Sequence, residues 1–125
     1  DVRIRLRRLI EAELGNPKLT PALIAGRLGL SRSTLYRLFA PNGIVAYIRD
    51  RRLMAAMRML VRDDGSRPAR VAQVAYAVGF ADERTFRRAF KRRFGFVPSA
   101  AGPLRLGGEP DPAPGAVLRN WIESL

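Results

Sequence analysis

The stretch AYAVGFADERTFRRAF, residues 75–90, lines up with an earlier stretch, AGRLGLSRSTLYRLF, residues 25–39, which is shorter by one residue. Each copy reads as a short helix, a turn that contains glycine, and a second helix that ends in an aromatic residue. Gly29 and Gly79 occupy the turns, where glycine permits a positive φ angle. The repeat therefore predicts two copies of one local unit, each made of two helices that meet at a corner.

Apolar spacing predicts how each unit packs. The second helix of each copy carries an i,i+4 pair that would face the preceding helix, namely Leu35 with Phe39 and Phe86 with Phe90. Two helices joined by such a turn form the helix-turn-helix pattern. One pattern is a weak signal, because many helical hairpins share it, but two on one chain are a much stronger one.

Helical periodicity also covers residues 2–14 and a long segment that would connect the two units. We expect an all-α fold of about seven helices, followed by a C-terminal tail helix. The predicted boundaries are about 20–39 for the first unit, about 44–63 for the connecting helix, about 71–94 for the second unit and 1–102 for the whole domain. Residues 103–125 would hold a Pro/Gly-rich linker and the tail helix, with Trp121 packed against the domain's own core or, alternatively, against a partner protein.

Polar residues stand where three of these helices would begin. Thr20, Ser31 and Asp82 are side chains that commonly cap a helix amino terminus. Asp82 is the expected cap of the last helix, because the side chain of Ala81 has no hydrogen-bond acceptor. Gly95 is the expected carboxyl-terminal cap of the same helix.

The chain is strongly basic, with 23 Lys and Arg against 11 Asp and Glu, a formal net charge of +12 over 125 residues. Such an excess repels itself in the folded state, so we expect a polyanionic partner. Nucleic acid is the first candidate and an anionic membrane surface the second. No apolar run approaches the roughly 18 residues of a membrane span, so we expect no span. Of the two candidate partners we expect double-stranded DNA and not a membrane.

The sequence lacks the residue types that several catalytic and metal sites require. It contains no histidine and no cysteine, which excludes cysteine nucleophiles, histidine general bases and thiolate–imidazole zinc sites. It also shows no paired carboxylates in a helical frame and no phosphate-cradling glycine loop. We expect no enzymatic activity, no metal and no cofactor, and the absence of disulfides favours a cytoplasmic location.

The last helix of the repeat is the most basic part of the chain, with six cations in positions 84–93. The phenylalanines recur every four residues and predict a buried stripe, which leaves most of the cations on the opposite side. A solvated basic face is the alternative, but Glu83 is the only acid well placed for an i,i+4 ion pair, with Arg87. In a helix-turn-helix unit the exposed side of the second helix enters the DNA major groove.

Three segments carry a resemblance to a known family: GFADERTFRRAFKRRFGFVPS (79–99), YIRDRRLMAAMRML (47–60) and LGLSRSTLYRLF (28–39). Over roughly residues 2–101 the chain resembles the DNA-binding domain of the AraC/XylS family of bacterial transcription regulators. The resemblance implies a seven-helix domain that reads adjacent major-groove segments of double-stranded DNA. It also implies a cytoplasmic activator that contacts RNA polymerase and usually has an N-terminal sensor or dimerisation domain, which we expect to be absent from this chain.

The resemblance, transferred by position, assigns roles to individual residues. The implied base contacts are Ser33, Tyr36, Arg37, Glu83, Arg84 and Arg88, and the implied phosphate contacts are Ser31, Arg32, Arg52, Arg87, Lys91 and Arg92. Arg37 and Arg88 occupy equivalent places in the repeat, and each can donate two hydrogen bonds to guanine. Glu83 can accept from cytosine or reject wrong sequences by repulsion. For Arg52, a structural role stays open beside the phosphate contact.

Two functions are consistent with the sequence. The first is a sequence-specific DNA-binding transcription regulator with two recognition helices. The second is a non-specific architectural polycation that binds nucleic acid through its phosphates. The duplicated turn favours the first, because attraction to phosphate does not need a pair of glycine turns.

Overall fold

The computed structural model describes residues 1–62 and 70–101. These ranges contain six α-helices, one short 3-10 helix and no strand, which confirms the all-α prediction for this part of the chain. The helices are α1 (Val2–Glu13), α2 (Pro21–Leu28), α3 (Arg32–Leu38), α4 (Ile44–Val61), α5 (Val71–Ala77), α6 (Glu83–Phe94) and the 3-10 helix Pro98–Ala101. The expected linker, tail helix and Trp121 lie outside the described residues.

The chain divides into two compact units, with the boundary between Arg52 and Leu53, inside α4. The first unit contains α1, α2, α3 and the amino-terminal part of α4. The second contains the rest of α4, α5, α6 and the 3-10 helix. Each unit therefore holds one copy of the repeat, as α2 with α3 and as α5 with α6.

The core of the first unit fixes the orientation of α3. Its fully or nearly fully buried side chains come from all four helices and include Leu6, Ile10, Ile24, Leu35, Ile44 and Ile48. Leu35 is the buried residue of α3. Because an α-helix turns by about 100° per residue, Ser33 and Arg37 lie on the side of α3 opposite Leu35.

The glycine turns have a positive φ angle and share one hydrogen bond in both units. Gly29 has a φ of 65° and Gly79 a φ of 101°, as the repeat predicted. The amide of the next residue donates back across each turn, from Leu30 to the Ala25 carbonyl and from Phe80 to the Ala75 carbonyl, both at 3.0 Å. The sequence repeat is thus a repeat of hydrogen bonding as well.

An aromatic stripe on α6 dominates the core of the second unit. Phe86 and Phe90 are completely buried and Phe94 nearly so, as their four-residue spacing predicted. The Phe80 ring fills the corner between α5 and α6, with its centroid 5.2 Å from that of Phe86. Since the stripe faces inward, the basic side chains between the phenylalanines are directed towards solvent or along the flanks of α6.

Candidate nucleic-acid interface

The amino ends of α3 and α6 are fixed by the caps that the sequence predicted. Ser31 Oγ accepts from the Thr34 amide at 3.1 Å, and Asp82 Oδ1 accepts from the Thr85 amide at 2.7 Å. In each unit, then, the cap holds the first turn of the second helix. The first turn is also where a recognition helix meets the bases.

A threonine hydroxyl reinforces each cap, which the sequence reasoning missed. Thr85 Oγ1 donates to Asp82 Oδ2 at 3.0 Å, and the hydroxyls of Ser31 and Thr34 are hydrogen-bonded at 2.9 Å. The repeat contained the signal, because a threonine stands three residues after the cap in both copies.

The Asp82 carboxylate has a lowered pKa, chiefly because the Thr85 amide and then the Thr85 hydroxyl donate to it. These hydrogen bonds favour the charged form in the folded state. A carboxylate with a depressed folded-state pKa contributes its stabilisation above the unfolded pKa and loses it as the pH falls through the folded pKa. The cap of α6 is therefore complete at neutral pH.

The structure brings the three candidate base contacts of the first unit onto one exposed surface of α3. Ser33, Tyr36 and Arg37 are all exposed, and Tyr36 is 65% exposed despite its large ring. Arg37 Nη2 lies 3.4 Å from Thr34 Oγ1, which links the guanidinium to the capped first turn. Arg32 also lies on the solvent side of this helix.

The exposed surface of α6 is basic along its whole length. Arg84, Arg88, Lys91 and Arg92 are exposed, and Glu83 and Arg87 flank them. Glu83 and Arg87 form the predicted i,i+4 ion pair, with a separation of 2.6 Å between Glu83 Oε1 and Arg87 Nη2. Within residues 1–62 and 70–101, no acid pairs with Arg88, Lys91 or Arg92.

Arg52 differs from the other candidate phosphate contacts, because its guanidinium binds the protein itself. Arg52 Nε donates to the Leu14 carbonyl at 3.0 Å, and Nη2 donates to the Asn16 carbonyl at 2.7 Å. Burial lowers the pKa of this guanidinium, although arginine stays charged at neutral pH. Of the two roles considered for Arg52, the geometry favours the structural one, in which it joins α4 to the end of α1.

We expect Arg52→Ala to lower the free energy of unfolding of the first unit by about 1.5–3 kcal/mol. The substitution leaves two carbonyls without their charged donor. Arg52→Lys is the matched variant, since it keeps the charge but lacks the planar fork. Urea denaturation measures the loss in the free energy of unfolding for Arg52→Ala and for Arg52→Lys.

The salt dependence of DNA binding separates the two roles of Arg52. A structural residue should leave the slope of log affinity against log salt unchanged in Arg52→Ala. A slope that becomes shallower by about 0.9, with unaltered stability, would instead identify Arg52 as a phosphate contact.

Two helix-turn-helix units, each presenting a capped and exposed second helix, define a DNA-binding protein of the transcription-regulator class. A family model described as a helix-turn-helix domain matches residues 24–101, and the chain belongs to this family, the AraC-type helix-turn-helix domains. The resemblance noted in the sequence is thereby confirmed.

Two curated relatives are similar to the chain in sequence. The Transcriptional activator NphR of Rhodococcus sp is 36% identical over 96 residues, which make up 75% of this chain and 28% of that protein. The Msm operon regulatory protein of Streptococcus mutans is 33% identical over 98 residues, 76% of this chain and 34% of that protein. The chain thus spans about a third or less of the length of these relatives.

Solved structures share the fold. The C-terminal domain of the response regulator yesN from Fusobacterium nucleatum superposes with a TM-score of 0.71 at 21% identity, covering 81% of this chain and 97% of that one. An AraC-type transcriptional regulator from Chromobacterium violaceum has a TM-score of 0.69 at 25% identity, covering 80% of this chain and 88% of that one. In the part of the chain described here, no helix is both long and apolar enough to cross a membrane.

Proposed function

We propose that the protein is a sequence-specific transcription regulator that reads two adjacent major-groove segments of DNA, one with α3 and one with α6. The observation that carries this proposal is the shared arrangement of the two units, in which a side-chain cap and a glycine turn present a polar, exposed second helix. A protein that only neutralised phosphate would not need this duplicated geometry.

The proposed base contacts lie on the exposed faces of the two helices: Ser33, Tyr36 and Arg37 on α3, and Glu83, Arg84 and Arg88 on α6. Arg37 and Arg88 hold equivalent positions, and the planar guanidinium matches the O6 and N7 acceptors of guanine. The remaining cations near these faces, together with the Ser31 hydroxyl, would contact phosphate: Arg32, Arg87, Lys91 and Arg92. Such contacts position the protein on the duplex and carry no sequence information.

The relatives supply the wider proposal. NphR is named a transcriptional activator, and the Streptococcus mutans protein is named an operon regulatory protein. We propose the same kind of role for this chain, as a cytoplasmic activator that contacts RNA polymerase. A sensor or dimerisation domain would supply the signal.

Selection of bound duplexes from a random pool tests the proposal directly. Reading by two helices predicts an enriched site with two conserved patches about one helical turn apart, because successive major-groove faces on one side of B-DNA are about 34–36 Å apart. The alternative, a non-specific architectural polycation, predicts a pool that stays random after selection.

The roles of Arg88 and Lys91 should differ, although both are exposed on α6 and lie less than one turn apart. We expect Arg88→Ala to weaken binding to the best site by about 1–3 kcal/mol and to relax one base position. Lys91 lies farther from the entering end of α6, and its ammonium acts as a point charge. Lys91→Ala should therefore weaken all sequences about equally and lower the salt slope by about one.

Titration of both variants against the selected site and its single-base changes measures this difference. Arg58→Ala is a suitable control, because Arg58 is an exposed arginine on α4 with no proposed role in DNA binding. If Lys91→Ala changes base preference in the same way as Arg88→Ala, the assignment of the two roles is wrong.

A further inference from the structure

Glu83 and Arg87 form an ion pair at the amino-terminal end of α6. Glu83 Oε1 accepts from Arg87 Nε at 3.0 Å and from Arg87 Nη2 at 2.6 Å, so one carboxylate oxygen holds two N–H groups on one edge of the guanidinium. The acid precedes the base by four residues, which is the favourable order for such a pair on a helix. The pair therefore occupies the part of α6 that the proposed function brings closest to DNA.

We propose that Glu83 is a specificity determinant that withholds Arg87 from DNA phosphates, so that the protein loses affinity for random DNA and gains discrimination. This inference rests on the proposed function, since it names how one residue of α6 governs the choice of site. Under this inference Arg87 contributes little to phosphate binding as long as Glu83 is present.

The reason lies in what drives non-specific binding. A free arginine that reaches a phosphate releases condensed counterions from DNA, and this gain is the same on every sequence. An arginine that is already paired with a carboxylate gains less binding free energy from a phosphate. The phosphate either displaces the carboxylate or shares the guanidinium with it, and both weaken the existing ion pair. The carboxylate also repels the DNA backbone wherever the bases do not offer it a donor, which penalises wrong sites more than the right one.

The contrast with neighbouring cations supports a role specific to this position. Arg88, Lys91 and Arg92 have no acidic partner among the residues that the structure describes, and they stay available for DNA. In the first unit the equivalent positions are Arg32 and Tyr36, which cannot form an ion pair with each other. Of these two equivalent pairs of positions, only the one in the second unit holds an ion pair.

The pair is exposed enough to act on binding without serving the fold. The Arg87 and Glu83 side chains are 46% and 36% exposed, and pairs with such exposure contribute little to stability. The fold of α6 depends instead on the buried phenylalanine stripe and on the Asp82 cap. A substitution at Glu83 should thus change DNA binding while the protein stays folded.

The test compares Glu83→Gln with Glu11→Gln. Glu11 forms a similar half-exposed pair, with 2.6 Å between its Oε1 and Arg51 Nε, so the control removes the same charge from a pair that belongs to the first unit and not to α6. Each variant is titrated from 50 to 200 mM salt against the duplex selected from the random pool and against a duplex of scrambled sequence.

We expect Glu83→Gln to bind the scrambled duplex about 8-fold more tightly than Glu11→Gln at 100 mM salt, with a slope steeper by about 0.9. One added phosphate contact steepens the slope by about 0.9, and over the tenfold range from 1 M to 100 mM salt this slope corresponds to a factor of about 8 in affinity. The selected duplex should gain less, so the ratio between the two affinities should fall severalfold. In the double variant with Arg87→Gln, the gain on scrambled DNA should disappear.

Two results would overturn the inference. Equal behaviour of Glu83→Gln and Glu11→Gln on scrambled DNA would mean that Arg87 is not withheld. A loss of affinity confined to the selected site, with no gain on scrambled DNA, would mean that Glu83 acts only as a base contact and does not withhold Arg87. Failure of the proposed function appears separately, as a wild-type protein for which the pool yields no preferred site, and the scrambled-duplex comparison still decides the state of Arg87.

Discussion

Affinity for DNA should fall by about 10³-fold or more between 50 and 200 mM salt. Apart from Arg87, which is paired with Glu83, six exposed cations lie on the two candidate recognition helices, namely Arg32, Arg37, Arg84, Arg88, Lys91 and Arg92. If each neutralises one phosphate, the slope of log affinity against log salt is about −5, and ten contacts would raise the loss to about 10⁵-fold. Fluorescence anisotropy with a labelled duplex measures this slope.

The same titration contains its own control. Arg58→Ala removes an exposed cation from α4 and should leave the slope unchanged, whereas removal of Lys91 should make it shallower by about one. A nearly flat salt response of the wild-type protein would argue against a DNA-binding role, because phosphate contacts supply essentially all of non-specific affinity.

Phe90→Ala should lower the free energy of unfolding by about 3–5 kcal/mol, the largest stability effect that we expect. The side chain is completely buried, and its ring contacts those of Phe86, Phe94 and Phe96 at centroid distances of 5.7, 4.7 and 5.9 Å. Truncation to alanine removes the buried ring and leaves a cavity that its neighbours fill only in part. A loss of this size is a large fraction of the stability of a small domain.

Tyr36→Ala is the matched control, because it truncates another aromatic residue on a second helix of the repeat. Tyr36 is 65% exposed, so its removal should change stability by no more than about 0.5 kcal/mol while it weakens DNA binding. Urea denaturation followed by circular dichroism measures both variants. A stability loss under 1 kcal/mol in Phe90→Ala would contradict the buried position of the Phe90 ring.

Much of the candidate site was predictable from sequence because its determinants are local. Ser31 and Asp82 accept hydrogen bonds from amides only three residues farther along the chain, and Gly79 adopts a positive φ angle because it has no side chain. The Glu83–Arg87 pair spans one turn of a single helix. Each of these depends on a few neighbouring residues, so periodicity and residue type are enough to predict it.

What the sequence left open is which groups a side chain contacts outside its own helix. The local sequence around Arg52 is that of an exposed basic helix, and it was consistent with either a phosphate contact or a structural role for this residue. Its hydrogen bonds go to carbonyls 38 and 36 positions earlier in the chain. No local pattern encodes such a distance.

The sequence by itself determined the two helix-turn-helix units, the buried stripe of α6 and the basic face opposite it, because helix periodicity fixes which side chains share a face. The tertiary structure decided which cations remain available for DNA. Arg51 binds Glu11, forty positions earlier in the chain, and Arg52 closes the end of α1, while Arg88 and Lys91 stay exposed on α6. The physical reason is that an arginine side chain binds whatever acceptor the packing of α1 against α4 brings within reach, and only the folded chain brings those acceptors together.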